Sequence, residues 1–238
     1  MYNESKHVGV DYSNEIQADG YDSLHQTFRN YEKEFNDMLD FLVPQNPHNM
    51  SIIDLGCGTG ASTFFASKTF KNVFAVDISN AMIAQAQKKA ISNNVNNIEF
   101  HIGGFLSYKH TSQAVDLILT KHAFHHLPDF WKQIALYRMN KMLKLNGILY
   151  ICDVVFNLGP NNYKEKIDNW IDGFEESAGK DLSSEVETHI RDEFSTFDWI
   201  LEGMLERAGF LIERNRSADG FVREYLCRKV KEIDYKGD

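Results

Sequence analysis

The chain reads as an α/β protein built on one mostly parallel sheet, and three observations lead there. From residue 50 onward, short apolar runs alternate with helical stretches. The first run opens onto a cluster of glycines, Gly56, Gly58 and Gly60. The last two strand-like runs are joined by Ser217-Ala-Asp-Gly220, whose turn residues make a hairpin and so reverse the final strand. Strands alternating with helices imply βαβ units with helices on both faces of the sheet. Five parallel strands plus the hairpin give an expected seven-stranded sheet with a reversed last strand.

Composition sets the frame for that fold. Of 238 residues, 43% are hydrophobic and 25% charged, enough for a sizeable core. No apolar run approaches the ~20 residues of a membrane span. Residues 1–20 are polar and lack a hydrophobic segment, so no secretory signal is expected. Cys57, Cys152 and Cys227 show no CxxC spacing, which predicts neither a disulfide framework nor a metal site and points to the cytoplasm. The net charge is −9, and between Glu165 and Glu206 thirteen acidic residues face three basic ones. The surplus therefore lies in one stretch, and no nucleic-acid partner is expected, because that needs a basic face.

The elements follow in order. Residues 1–48 form a polar arm and an amphipathic helix, in which Leu24, Phe28, Tyr31, Phe35, Met38, Leu39 and Leu42 step by three and four. That spacing puts Tyr31 in the core, and Pro44 and Pro47 end the helix. Residues 49–156 hold strands at 50–55, 73–76, 98–102, 115–119 and 148–155, separated by helices over 61–70, 80–92 and 128–143. Residues 157–194 are polar, acidic and helical; so short a segment makes a poor core alone and is expected as a lid on the sheet. Residues 195–238 complete the core, with Ser195 as the N-cap of a helix that Gly209 ends, followed by the hairpin.

The strongest local signal is Ile52-Ile-Asp-Leu-Gly-Cys-Gly-Thr-Gly60, a strand running through glycines into a helix at the carboxyl end of the sheet, where ligands bind. It lacks the lysine of a phosphate-binding GxxxxGK[ST] loop. Ala61 and Thr63 stand where a dinucleotide fingerprint needs its last glycine. Asp54 would repel a pyrophosphate but suits a ligand bearing an ammonium or sulfonium. Asp77 ends the second strand, where an acid can hold both ribose hydroxyls or else cap the next helix.

DLGCGTG, AVDIS, AVDLILT, HHLPD and LKLNGILYICD, in this order over roughly residues 50–155, resemble the class I S-adenosylmethionine-dependent methyltransferases. The reversed hairpin agrees with that family. The resemblance implies a Rossmann-like sheet, S-adenosyl-L-methionine as cofactor and S-adenosyl-L-homocysteine as product. It further implies in-line methyl transfer to an oxygen or nitrogen of a small-molecule acceptor. It sets Gly56, Cys57, Gly58 and Gly60 against the methionine and ribose part, Asp77 on the ribose hydroxyls and Ile78 on the adenine face. An acid usually follows the third strand in this family and accepts a bond from the adenine amino group; here Gly104 occupies that place, leaving the Phe105 backbone and apolar contact. Lys121, just past the fourth strand, joins the expected cofactor residues with Asp54. A tyrosine-led helix similar to that of sugar and amine N-methyltransferases puts Tyr21 and Arg29 at the methionine end, Arg29 pairing its carboxylate.

Methyl transfer needs a base only when the acceptor has a proton to lose. In Lys121-His-Ala-Phe-His-His126 the candidates are His125 and His126, with the alternative that this stretch only shapes its loop. His25 is a further candidate. Trp170 and Phe174 either line an acceptor pocket or form the buried face of the lid. The rival readings are a non-catalytic cofactor-binding protein, an RNA or protein methyltransferase, and a nicotinamide-dependent oxidoreductase. The missing basic patch disfavours the RNA enzyme, and the failed fingerprint disfavours the oxidoreductase. The sequence leaves the acceptor and the oligomeric state open.

Overall fold

The computed structural model describes residues 2–4, 6, 22, 29–217 and 220–234. Tyr21, Leu24, His25 and Phe28 lie outside the described residues. Helix α1 (Tyr31–Leu42) starts where Asn30 caps it, its side chain accepting from the Lys33 amide at 2.9 Å. It ends at Val43, in the left-handed region just before Pro44. The sheet then builds through β1 (Ser51–Leu55), α2 (Ala61–Thr69), β2 (Asn72–Asp77), α3 (Asn80–Ser92), β3 (Ile98–Ile102) and β4 (Val115–Lys121). It continues with α4 (Asp129–Met142) and β5 (Leu143–Phe156), and closes with β7 (Phe210–Ser217) and β8 (Val222–Lys229). The main strand order is β3-β2-β1-β4-β5-β8-β7. β1 to β5 pair in parallel, whereas β8 runs antiparallel to both β5 and β7.

Alternation along the strands makes two cores. Ile53, Phe74, Ile118 and Leu149 face α4 and α7 (Asp198–Arg207), joining Leu136, Met139, Leu201 and Leu205. Their neighbours Ile52, Val73, Leu117 and Ile148 face the other way and bury Phe35, Met38 and Leu42 of α1 with Ala66 of α2. Two expectations shift. β5 begins at Leu143, earlier than the apolar run, because Leu143 already pairs with Val115. Ser195 does not cap α7, because Thr196–Phe197 first pairs with the tip of β5 as a short strand, β6, and the helix begins at Asp198. The insertion is helical, as α5 (Tyr163–Ala178) and α6 (Lys180–Arg191). Trp170 stacks on Phe221 with ring centroids 4.3 Å apart and planes 3° from parallel, so α5 packs on the end of the hairpin.

Strand order reverses between β1 and β4, which opens a crevice at the carboxyl edge of the sheet. The four strands β4, β1, β2 and β3 end side by side along it.

Candidate active site

A cavity of about 160 Å³ lies along that edge. Lys121 and His122 line it at the end of β4, Asp54 and Gly56 to Thr59 at the end of β1, Asp77 to Ser79 at the end of β2, and Gly103 to Phe105 after β3. Arg29, Tyr31 and residues of the N-terminal segment cover it.

The glycine loop brings backbone to the wall. Gly56 has φ +81°, and a β-carbon there would sit 2.5 Å from Cβ of Ala123, so both conformation and space exclude a side chain. Gly58 donates its amide to Oδ2 of Asp77 at 2.8 Å, fixing the loop to β2. Oδ1 of Asp77 accepts from the Ser79 amide at 2.8 Å, while the cap of α3 is the Ser79 hydroxyl. The cap of α3 is thus supplied by another residue, and Asp77 lines the cavity.

Asp54 is buried and accepts a bond from the Thr63 hydroxyl at 2.5 Å. Burial pushes its carboxyl up to about 7, with the Asp77 charge adding and the Thr63 bond and Lys121 charge opposing. A cationic group in the cavity would stabilise its ionised form. Cys57 is buried, and loss of solvent raises its thiol, which disfavours thiolate chemistry.

At the other end, Glu34 of α1 joins two cations. Arg29 Nε and Nη2 donate to it at 2.8 and 2.6 Å, and Lys121 Nζ donates at 3.0 Å. Burial alone would raise the Glu34 carboxyl, but these partners hold it down at about 2. The cluster ties the helix to the end of β4. Tyr31, expected in the core, is instead on the cavity wall, with the Arg29 guanidinium 5.0 Å from its ring centre. The cause is its position in the first turn of α1, beside the loop ends and ahead of the buried face that Phe35 begins.

The histidines separate. His125 is buried, with Nδ1 against Asp153 and Nε2 3.1 Å from Glu193. Burial alone would lower its pKa, but the two carboxylates push it up to about 10. Both ring nitrogens thus face carboxylates and His125 is not among the cavity-lining residues, an arrangement that fits its alternative, a residue that shapes the loop. Asp153 completes that role by accepting from the amides of Ala123, Phe124 and Val154 at 3.2, 2.6 and 2.7 Å. His125, His126 and Glu193 bring ligand-type atoms within 4.8 Å of one another, but the His125 ring already answers both carboxylates by charge. His126 does line the cavity, as does His122, which the sequence reading passed over. Burial holds the His122 ring neutral, down at about 3. Its signal was its place next to Lys121 at the strand end.

Of the expected cofactor residues, Arg29, Asp54, Gly56, Cys57, Gly58, Asp77, Ile78, Gly104, Phe105 and Lys121 all line the cavity. Gly60 stands behind the wall, opening α2 with φ +81°. Among the described residues, α5 and α6 contribute nothing to this lining; Trp170 stacks on Phe221 and meets Phe174 edge-on. No helix among the described residues is long and apolar enough to cross a membrane.

Comparison with known proteins agrees with this architecture. An uncharacterized methyltransferase of Bacillus pumilus is 28% identical over 199 residues, covering 81% of this chain and 85% of its own. The uncharacterized methyltransferase YrrT of Bacillus subtilis is 28% identical over 195 residues, covering 82% of each chain. Among solved structures, an S-adenosylmethionine-dependent methyltransferase from Clostridium acetobutylicum superposes with TM-score 0.68 at 15% identity, over 90% of this chain and 97% of that one. Magnesium protoporphyrin IX methyltransferase from Synechocystis, solved with S-adenosylhomocysteine, gives TM-score 0.65 at 14% identity over 91% and 97%. The profile described as a methyltransferase domain matches residues 46–209, more than half of the sequence, and the chain belongs to that family.

Proposed function

We propose that the chain is an S-adenosylmethionine-dependent methyltransferase acting on an oxygen or nitrogen of a small molecule. The observation that carries this reading is Asp54, a buried carboxyl short of positive charge that faces a cavity floored by bare glycine backbone. Such a group matches a ligand with an ammonium and a sulfonium, and it opposes one with phosphates. Arg29 and Lys121 suit the ligand carboxylate. The Asp77 oxygens suit ribose hydroxyls, and Ile78 and Phe105 offer apolar surface to the base. When bound, S-adenosylmethionine supplies an electrophilic methyl group and leaves as S-adenosylhomocysteine.

The chain's own work is then to hold, to orient and to exclude water. The Gly56–Ala123 contact locks the loops after β1 and β4 together and fixes the wall on which the ligand lies. For an acceptor with a proton to lose, the cavity-facing His126 is the base within the wall, whereas burial leaves the His122 ring a weak proton acceptor. A non-catalytic role remains the rival, separated by turnover with small amines, phenols and carboxylates.

The test is calorimetric titration with S-adenosylhomocysteine, with NAD as control. Micromolar binding of the first and none of the second is expected, with loss of about tenfold or more in a folded Asp77→Ala variant. Binding of NAD alone, or unchanged affinity in the variant, overturns the reading.

A further inference from the structure

Outside the residues already discussed, one side chain on the cavity wall has unused bonding capacity. Glu4 comes from the N-terminal segment, about a hundred residues upstream of the loop it reaches. Its Oε2 accepts from the Leu106 amide at 2.9 Å. Oε1 is buried and has no hydrogen-bond partner among the described residues. The carboxylate lies directly over Gly104, where a β-carbon would come within 2.7 Å of it, so it fills the space a side chain at 104 would take. Tyr2 holds the segment down, donating to the carbonyl of His126 at 3.2 Å and stacking on Trp131 with centroids 5.8 Å apart.

A buried acceptor without a donor is costly, more so when charged. An oxygen in that state on a cavity wall calls for a donor from a ligand. Position says which part of the ligand. The carboxylate-matching cations sit beyond β4 and the ribose-matching Asp77 beyond β2, so a ligand laid along the edge puts its purine past β3, at Gly103 to Phe105 and Glu4.

We propose that Glu4 is a specificity-determining residue of the cofactor site, Oε1 accepting a hydrogen bond from the exocyclic amino group of adenine. The proposal rests on the cofactor reading above. It makes the N-terminal segment part of the binding site and makes the site selective for an amino-purine over an oxo-purine, whose carbonyl would face the carboxylate with a lone pair.

The experiment measures equilibrium binding of S-adenosylhomocysteine and S-inosylhomocysteine, in which a carbonyl replaces the amino group, to wild type, Glu4→Gln and the double variant Glu4→Ala with Gly104→Asp. Wild type should prefer the adenosyl ligand at least about tenfold. Glu4→Gln, whose amide also donates, should cut that preference to within about threefold. Position 104 has no positive φ, so it accepts a side chain, and the double variant should recover selectivity by placing a carboxylate in the vacated space. Wild-type selectivity in Glu4→Gln, or an equal loss for both ligands, overturns the proposal and leaves Glu4 an anchor for its segment. A wild type that binds neither ligand overturns the cofactor reading itself and this inference with it.

Discussion

Asp54 and Asp153 lie near the carboxyl ends of two parallel strands of one sheet, with β4 between them, and both are buried. Their surroundings differ in one respect. Asp153 meets three backbone amides and the His125 cation, and its carboxyl is driven well below the usual range, against a burial effect that alone would raise it. Asp54 has one hydroxyl and a distant lysine charge, and burial wins. Asp153 is saturated with partners and holds a loop, whereas Asp54, with fewer partners and on the cavity wall, fits the proposed cofactor role. Counting partners separates the two where residue type and burial do not.

The largest effect should come from breaking the saturated side. Asp153→Asn removes one member of a buried, paired set and should lower unfolding free energy by on the order of 3–5 kcal/mol, read from urea denaturation at neutral pH. Stability equal to wild type would mean the triad holds little of the loop. On the other side, Asp54→Asn keeps the Thr63 bond and removes only the charge. Affinity for S-adenosylhomocysteine should fall by about a hundredfold, on the order of 2.7 kcal/mol. The same variant should be no less stable than wild type. Because the folded pKa of Asp54 is raised from 3.8 to about 7, its ionisation opposes folding, a cost that builds up between those two values and is constant above about 7. A lower melting temperature in Asp54→Asn would contradict the assignment.

The smallest effect is in pH dependence, and it runs in opposite directions for the two groups. His125 has its pKa raised to about 10 and contributes stability that is full below about pH 6.5 and lost as pH climbs through 10. Asp54 instead couples to the ligand. Affinity of wild type for S-adenosylhomocysteine should tighten from about pH 6 to about pH 8, by at most about tenfold per unit, and Asp54→Asn should be flat over that range. Identical slopes in the two proteins would show that Asp54 is ionised throughout.

Much of this was legible beforehand because it is local. Alternating strands and helices, the glycine loop and the hairpin turn are encoded within a few residues. Asp54 and Asp77 are positioned by the strands they end, so their place on the wall followed from the strand reading. What local pattern does not carry is a partner brought from afar. Gly104 reads in sequence as a missing acid, and the carboxylate over it belongs to Glu4. Likewise, His125 and His126 are equivalent by composition and both reach Glu193, and it is Asp153, 28 residues on from His125, that tells them apart. Tyr31 fitted the helical stripe yet sits in the first turn, where the stripe leaves the core and meets the cavity.

The reversed strand has a consequence for how this protein can change. Because β8 runs against β5, its beginning lands at the rim where the parallel strands finish, with Val222 opposite Val154. The chain thereby makes a switchback that delivers Phe221, and with it the Trp170 stack, to the same rim as the glycine loop from the far side of the sequence. Insertions at 157–194 can lengthen, shorten or alter charge while the strands that carry Asp54 and Asp77 keep their register. One stretch of chain is left open to drift beside another that is held still.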